Sequence, residues 1–207
     1  MVLAAVVLPL SDLRGESMQS AYRGFTMDES QLRNTPALEE IRKATKEQID
    51  MVFAMGLPAD IQEFFQSVPL VLVPSDAMPR SSPGLYKREE RSVKITSRIV
   101  AIGRRPVLLH ELLHAYHHQK LPDGFKNRDI VGYFEKAKGL GSYAPKSHMM
   151  QNQGEFFACA ATTYLFGVTA QEPFNRDKLK DGQPEFFSYL KILFGPSAGR
   201  YAGVIEP

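Results

Sequence analysis

The segment that most constrains the fold is PVLLHELLHAYHHQ, residues 106–119, because its apolar residues recur with the period of an α-helix. Pro106 suits the first helical position, where its missing N–H costs nothing, and the following KLPDG ends the pattern. The apolar side chains of this helix have to pack against other elements. With 207 residues, of which 43% are hydrophobic, the chain is long enough to form that core within one domain.

Two histidines of this helix, His110 and His114, lie four residues apart, so both imidazoles project from the same face. Two ligands in that relation can bind one ion, and tetrahedral zinc prefers nitrogen ligands. In this H-E-x-x-H pattern Glu111 lies about 100° further round the helix, where a general base for a metal-bound water belongs. The alternative is a solvated or partly buried helix face without a metal. His117 and His118 lie at other angles, and we interpret them as surface or supporting residues.

A catalytic zinc ion needs a third protein ligand and an open position for water. The single cysteine, Cys159, excludes a thiolate-rich cluster, so a metal has to be held by histidine and carboxylate. The longer metzincin motif is excluded, because His117 and Lys120 stand where it requires glycine and histidine. Downstream, the apolar run EFFACAATTYLF predicts a buried helix with Glu155 in its first turn, from which a carboxylate can reach a neighbouring helix. An acid that only complements the helix dipole is the alternative.

HELLHAYH followed by NQGEFFA resembles the gluzincin metallopeptidases, and within them the lethal-factor-like family, named after the catalytic domain of anthrax toxin lethal factor. The resemblance extends over roughly residues 65–195 and includes the closing segment PEFFSYLKILFG. It implies an α+β, zincin-like fold with a small mixed sheet, an active-site helix and a mainly helical C-terminal half. It also implies one zinc ion per chain held by His110, His114 and Glu155, with Glu111 as the general base.

Two further positions, Tyr143 and Cys159, can be compared with the pattern of this family. Its members place a tyrosine shortly upstream of the glutamate ligand to stabilise the oxyanion, and Tyr143 resembles that residue. Tyr133 and His148 are alternatives for this role, and Tyr143 is otherwise a packed loop aromatic. Many gluzincins have an acidic residue four positions after the ligand, which orients a zinc-bound histidine, but this chain has Cys159 there. Loss of such a partner commonly costs about ten- to a hundredfold in affinity or activity. Either Asn152 or a backbone carbonyl substitutes, or zinc is held less tightly; the remaining alternative is Cys159 as a fourth ligand, which would close the position for water.

The other elements are predicted from shorter patterns. Residues 35–67 read as helix broken at GLP, and VPLVLVPSD reads as a buried strand. Residues 84–87 predict a second strand, and the alternation in RSVKITSRIV, residues 91–100, predicts a third that is half exposed. The resemblance implies that a substrate adds as a strand to the sheet edge, and residues 91–100 are the best candidate for that edge. Their charges, Arg91, Lys94 and Arg98, fit a guarded edge or an ordinary solvated face equally well. Residues 35–207 are predicted to form a single lethal-factor-like domain, with residues 1–34 as an N-terminal extension.

The apolar start MVLAAVVLPL lacks a basic region and a clear cleavage site, and it is too short to span a bilayer. It is either the remnant of a signal peptide, which would make the protein secreted or periplasmic, or a buried strand or frayed end. The net charge of +2 gives no basic excess that would indicate nucleic acid.

The function predicted from the sequence is a zinc-dependent metalloendopeptidase. We expect a monomer without stable membrane insertion that acts on a peptide or protein substrate. The alternative is a catalytically silent binding protein of the same fold, with structural or absent zinc.

Overall fold

The structure is a computed structural model and describes residues 18–195. A five-stranded sheet is followed by a mainly helical C-terminal half, which is an α+β architecture. The strands are β1 (Gln19–Tyr22), β2 (Phe25–Asp28), β3 (Leu70–Val73), β4 (Gly84–Lys87) and β5 (Ser92–Thr96). The helices are α1 (Leu38–Ala54), α2 (Ala59–Ser67), α3 (Val107–Gln119), α4 (Arg128–Leu140), α5 (Gln153–Phe166), α6 (Arg176–Gly182) and α7 (Pro184–Phe194). Short 3₁₀ turns lie at Ser30–Leu32, Ser75–Ala77, Ser97–Ile102, Gly124–Lys126 and His148–Met150.

The sheet is mixed and has the strand order β1-β2-β3-β5-β4. β1 and β2 form an antiparallel hairpin, β2, β3 and β5 run parallel, and β4 returns antiparallel to β5. The prediction that residues 91–100 form the sheet edge is therefore wrong. β5 is paired on both sides and largely buried, and residues 97–102 leave the sheet as a 3₁₀ turn. The edge strand on this side is β4, whose bounds match the predicted strand at residues 84–87.

The hairpin β1–β2 falls in the part of the chain that we assigned to an N-terminal extension. Met27 and Asp28 pair with Leu70 and Val71 of β3, and the side chains of Phe25 and Met27 are fully buried. The hairpin is thus part of the sheet and its core. The predicted boundary at residue 34 had placed it in an extension that precedes them. The predicted signal remnant at residues 1–10 lies outside the described residues, so export stays a prediction.

Helix α3 packs on α5, on β4 and β5, and on α1. Its leucines are fully buried, and they are Leu108, Leu109, Leu112 and Leu113. Gln48 of α1 fixes the first turn, because its Oε1 accepts the N–H of Leu108 at 3.1 Å and its Nε2 donates to the carbonyl of Arg105 at 2.8 Å. A buried side chain of another helix thus satisfies backbone groups that a helix start leaves unpaired. The predicted helix is confirmed.

Helix α5 is apolar on every face and is buried along most of its length, as such a helix has to be. Its start is set by Asn152, whose Oδ1 accepts the N–H groups of Gly154 at 2.9 Å and Glu155 at 3.0 Å. The prediction of a buried helix with Glu155 in its first turn is confirmed. Among residues 18–195, no helix is both long enough and apolar enough to cross a membrane.

Candidate active site

Helices α3 and α5 bring together the three predicted metal ligands. The Nε2 atoms of His110 and His114 are 3.1 Å apart, and each lies 3.3 Å from Oε2 of Glu155. The helical period places the two imidazoles on one face of α3, and the cap at Asn152 places the carboxylate at the start of α5. Three donor atoms therefore form a nearly equilateral triangle at the contact between the two helices.

This triangle has the dimensions of a zinc site. In a tetrahedral site with zinc–ligand distances of roughly 2.0–2.1 Å, the ligand atoms lie about 3.3–3.4 Å from one another. The observed separations of 3.1, 3.3 and 3.3 Å match that edge length. Oε2 of Glu155 is buried and, among the described residues, has no hydrogen-bond partner of proper geometry, although the imidazole nitrogens surround it. A buried carboxylate oxygen without such a partner is costly, and a bound cation removes that cost.

A third imidazole, that of His148, reaches the same carboxylate from the 3₁₀ turn at His148–Met150. Its Nε2 lies 2.9 Å from Oε2 of Glu155, and its side chain is 40% exposed to the cleft. The contact with the Glu155 carboxylate raises the pKa of His148 against the effect of burial. Burial raises the pKa of Glu155, but His110, His114 and His148 outweigh it and hold that pKa well below its ordinary value. Four of the five histidines lie on α3, and the fifth reaches the site from a loop.

The carboxylate of Glu111 is bound to the edge strand β4. Its carboxylate Oε2 accepts the backbone N–H of Tyr86 in β4 at 2.7 Å, and the residue is only 8% exposed. Burial raises the pKa of Glu111, while His110 and the hydrogen bond from Tyr86 lower it. A carboxylate whose pKa is raised by burial is a suitable proton acceptor near neutral pH. Glu111 thus lines the cleft as a buried carboxylate, and its role as a general base stays a prediction.

Cys159 lies one turn after Glu155 and borders the site. Its Sγ lies within 4.8 Å of ligand atoms on His110, His148 and Glu155. Burial raises the pKa of the thiol, which favours the protonated form over the thiolate that binds metals. Asn152 was one candidate for replacing the missing acid, but its side-chain oxygen accepts backbone N–H groups of α5. We find no support for that substitution.

The structure separates Tyr143 from this site. Tyr143 lines a smaller cavity of about 300 Å³ together with Ser142 and Phe174, and it does not line the cleft that contains the histidines. Its buried hydroxyl has no hydrogen-bond partner within residues 18–195, and burial raises its pKa. The second candidate, Tyr133, packs on the ring of Phe186 at a centroid distance of 4.9 Å, away from the cleft. His148 is the one of the three candidates that reaches the predicted ligands.

The two remaining histidines of α3 differ from each other. His117 was interpreted as a surface or supporting residue, but it is fully buried between Phe125 at 5.1 Å and Phe157 at 4.8 Å. α5 and the turn at Gly124–Lys126 cover this side of the helix, which the pattern of α3 alone does not reveal. His118 is partly exposed, stacks on Phe125 at 5.2 Å and contacts the phenol of Tyr86 through Nδ1 at 2.8 Å.

The site opens into a cleft of about 810 Å³. Its walls come from β4 and the preceding turn, from α3, from the start of α5 and from the loop at residues 169–172. Besides Glu111 and Glu155, the charged residues in these walls are Arg88, Arg105 and Glu172. A cleft of this size, with one sheet edge along it, has room for an extended peptide segment.

Comparison with known proteins supports the fold. No family model matches the sequence, and no curated protein matches it. The structure is similar to that of the Pro-Pro endopeptidase PPEP-2 from Paenibacillus alvei, with a TM-score of 0.51. The similarity covers 75% of this chain and 92% of that one, at 18% sequence identity. The fold is zincin-like. The fold class predicted from the sequence is therefore confirmed.

Proposed function

We propose that this protein is a zinc-dependent metalloendopeptidase of the gluzincin type, a monomer that acts on peptide or protein substrates. One observation carries the proposal: the donor atoms of His110, His114 and Glu155 have the spacing of zinc ligands, and Glu111 lies beside them in an open cleft. A binding protein without catalysis has no need of a buried carboxylate at that position. The silent alternative rests on Cys159, which stands where an acid commonly supports zinc binding.

Zinc bound by these residues would polarise the scissile carbonyl and lower the pKa of a water molecule. The residues of the chain carry the proton transfers. Glu111 accepts the proton of the attacking water and then donates it to the leaving amine. Its partner Tyr86 keeps the carboxylate directed along the cleft, because the 2.7 Å bond from the backbone N–H fixes one of the two oxygens. The other oxygen remains for the water.

His148 takes the place that the resemblance gave to Tyr143. It borders the cleft, and its Nε2 lies 2.9 Å from Oε2 of Glu155, one of the proposed zinc ligands. An N–H at that position can donate to the oxygen that becomes negative during the reaction. Removal of one such donor costs about 10²–10³ in kcat in well-studied hydrolases. The phenol of Tyr143 has no comparable access to the cleft.

The substrate is proposed to lie along β4. Tyr86 directs its N–H to Glu111, so its carbonyl also points away from β5, and so do the backbone groups of Gly84 two residues earlier. An extended peptide can form hydrogen bonds with the edge groups that remain, which are the carbonyl of Tyr86 and the backbone of Gly84, and present its own backbone to the zinc site. PPEP-2 is named as a Pro-Pro endopeptidase, and we include that sequence among the substrates to be tested.

The test combines metal analysis with peptide cleavage. Wild type, Glu111→Gln and the control Glu63→Gln, an exposed carboxylate on α2, are purified and incubated with a peptide library that includes Pro-Pro sequences. We expect about one zinc ion per chain in all three proteins. Cleavage is expected in wild type and the control, and a loss of at least about a hundredfold in Glu111→Gln. Absence of stoichiometric zinc, or equal cleavage by Glu111→Gln, would refute the proposal.

A further inference from the structure

Tyr86 of the edge strand β4 contacts α3 through both its backbone N–H and its phenol. The backbone N–H of Tyr86 donates to Glu111 at 2.7 Å, and the phenol of Tyr86 contacts Nδ1 of His118 at 2.8 Å. Gln119 donates from Nε2 to the same phenol oxygen at 3.0 Å. The phenol oxygen accepts this hydrogen, and with the His118 tautomer that leaves Nδ1 unprotonated the phenol donates its own hydrogen to Nδ1. Three hydrogen bonds therefore join Tyr86 to α3.

The helical period explains why one tyrosine reaches both points. Glu111 and His118 are seven residues apart, so they lie on nearly the same face of α3, about 10 Å apart along its axis. Tyr86 lies along this face, with its amide at one end and its phenol at the other. His118 is itself held by Phe125, whose ring stacks on it with an interplanar angle of 10°.

Close contact between β4 and α3 completes the arrangement. A Cβ atom at Gly84 would lie 2.8 Å from Cγ1 of Val107 and 3.2 Å from Cγ of Glu111, so only glycine allows β4 to approach this closely. Gly124, at φ +53°, brings the turn of Phe125 against the backbone of His118 in a similar way. Both contacts fix the strand and the turn relative to the helix that carries the proposed base.

We propose that Tyr86 is a positioning residue that orients Glu111 through its backbone amide, and that His118 and Gln119 hold Tyr86 in place. The inference rests on the proposed peptidase function. Without the phenol anchor, the amide of residue 86 moves relative to Glu111, and the carboxylate loses its fixed direction toward the water. Small displacements of this kind misalign the base with the attacking water and lower kcat, and they do not alter the three proposed zinc ligands.

The kinetic test uses Tyr86→Phe, His118→Leu and His118→Asn, all zinc-loaded. We expect Tyr86→Phe and His118→Leu each to lower kcat by about tenfold at unchanged zinc content, and the double variant to be no worse than either. His118→Asn, which places an acceptor oxygen near the position of Nδ1, is expected to recover most of that loss relative to His118→Leu. The control is Tyr22→Phe, which loses the hydrogen bond from the phenol of Tyr22 in β1 to Asp50 in α1. It is expected to retain wild-type kcat.

A second readout does not depend on activity. Hydrogen exchange at the amide of residue 86, measured by NMR, is expected to be about tenfold faster in Tyr86→Phe and in Glu111→Ala than in wild type. Wild-type exchange and wild-type kcat in Tyr86→Phe would overturn the positioning role while leaving the peptidase proposal intact. If no substrate is cleaved by wild type, the exchange rates still decide whether the phenol holds the amide on Glu111.

Discussion

His117 offers a quantitative test of how α3 is packed. Its ring is fully buried, and neither ring nitrogen has a hydrogen-bond partner among residues 18–195. Burial, followed by the neighbouring His114 and His118, lowers the pKa of His117 from 6.5 to about 3. The unfolded chain binds a proton at this residue below pH 6.5 while the folded protein does not, so folding stability falls as the pH drops from 6.5 toward 3. At pH 5 this loss amounts to about 2 kcal/mol, with an upper limit of about 5 kcal/mol near pH 3.

The substitution His117→Leu removes both the proton-binding group and the unpaired nitrogens. We expect the zinc-free variant to be about 1–2 kcal/mol more stable than zinc-free wild type at pH 7.5. Because it lacks the titrating ring, it should lose about 2 kcal/mol less than wild type between pH 7.5 and 5.0. Urea unfolding followed by circular dichroism at both pH values measures the two differences. Equal pH dependence in the two proteins would mean that the ring is protonated or hydrogen-bonded when folded, and the reasoning would be refuted.

Three further substitutions address the site. His148→Ala is expected to lower kcat by about a hundredfold while zinc content stays near one per chain, since the residue donates to the oxyanion without being required as a ligand. Tyr143→Phe is expected to leave kcat within about twofold of wild type in the same assay, because the phenol lies outside the cleft; the opposite ranking of these two variants would restore the tyrosine assignment. Gly84→Ala places a Cβ atom 2.8 Å from Val107 and 3.2 Å from Glu111, so we expect about a tenfold lower kcat at unchanged zinc content. A wild-type kcat in Gly84→Ala would show that β4 can move without disturbing the base.

The parts of the fold that the sequence predicts are those set by local signals. Pro106 and the apolar period define α3, the glycine and apolar run around Glu155 define α5, and the strand at residues 84–87 was located correctly. The ligand pair His110 and His114 follows from the helical period alone. The third ligand came from a resemblance, and the 3.3 Å separations now support it with geometry.

The parts that the sequence does not predict depend on contacts between distant segments. Strand order is such a property: β5 alternates like a half-exposed strand, yet β3 and β4 pair with both of its sides. His148 reaches Glu155 through the fold of a loop whose residues carry no periodic pattern. The burial of His117 depends on Phe157 of α5, and the role of His118 depends on Tyr86 of β4. In each case the deciding neighbour is far away in the sequence.

The most direct test of the metal site is X-ray absorption at the zinc edge of the zinc-loaded protein. The structure predicts two imidazole nitrogens and one carboxylate oxygen from His110, His114 and Glu155, and a water oxygen, all at roughly 2.0–2.1 Å. A sulfur scatterer at roughly 2.3 Å would mean that Cys159 closes the position needed for water and would contradict a catalytic site. Failure of the protein to retain one zinc ion per chain would contradict the account as a whole.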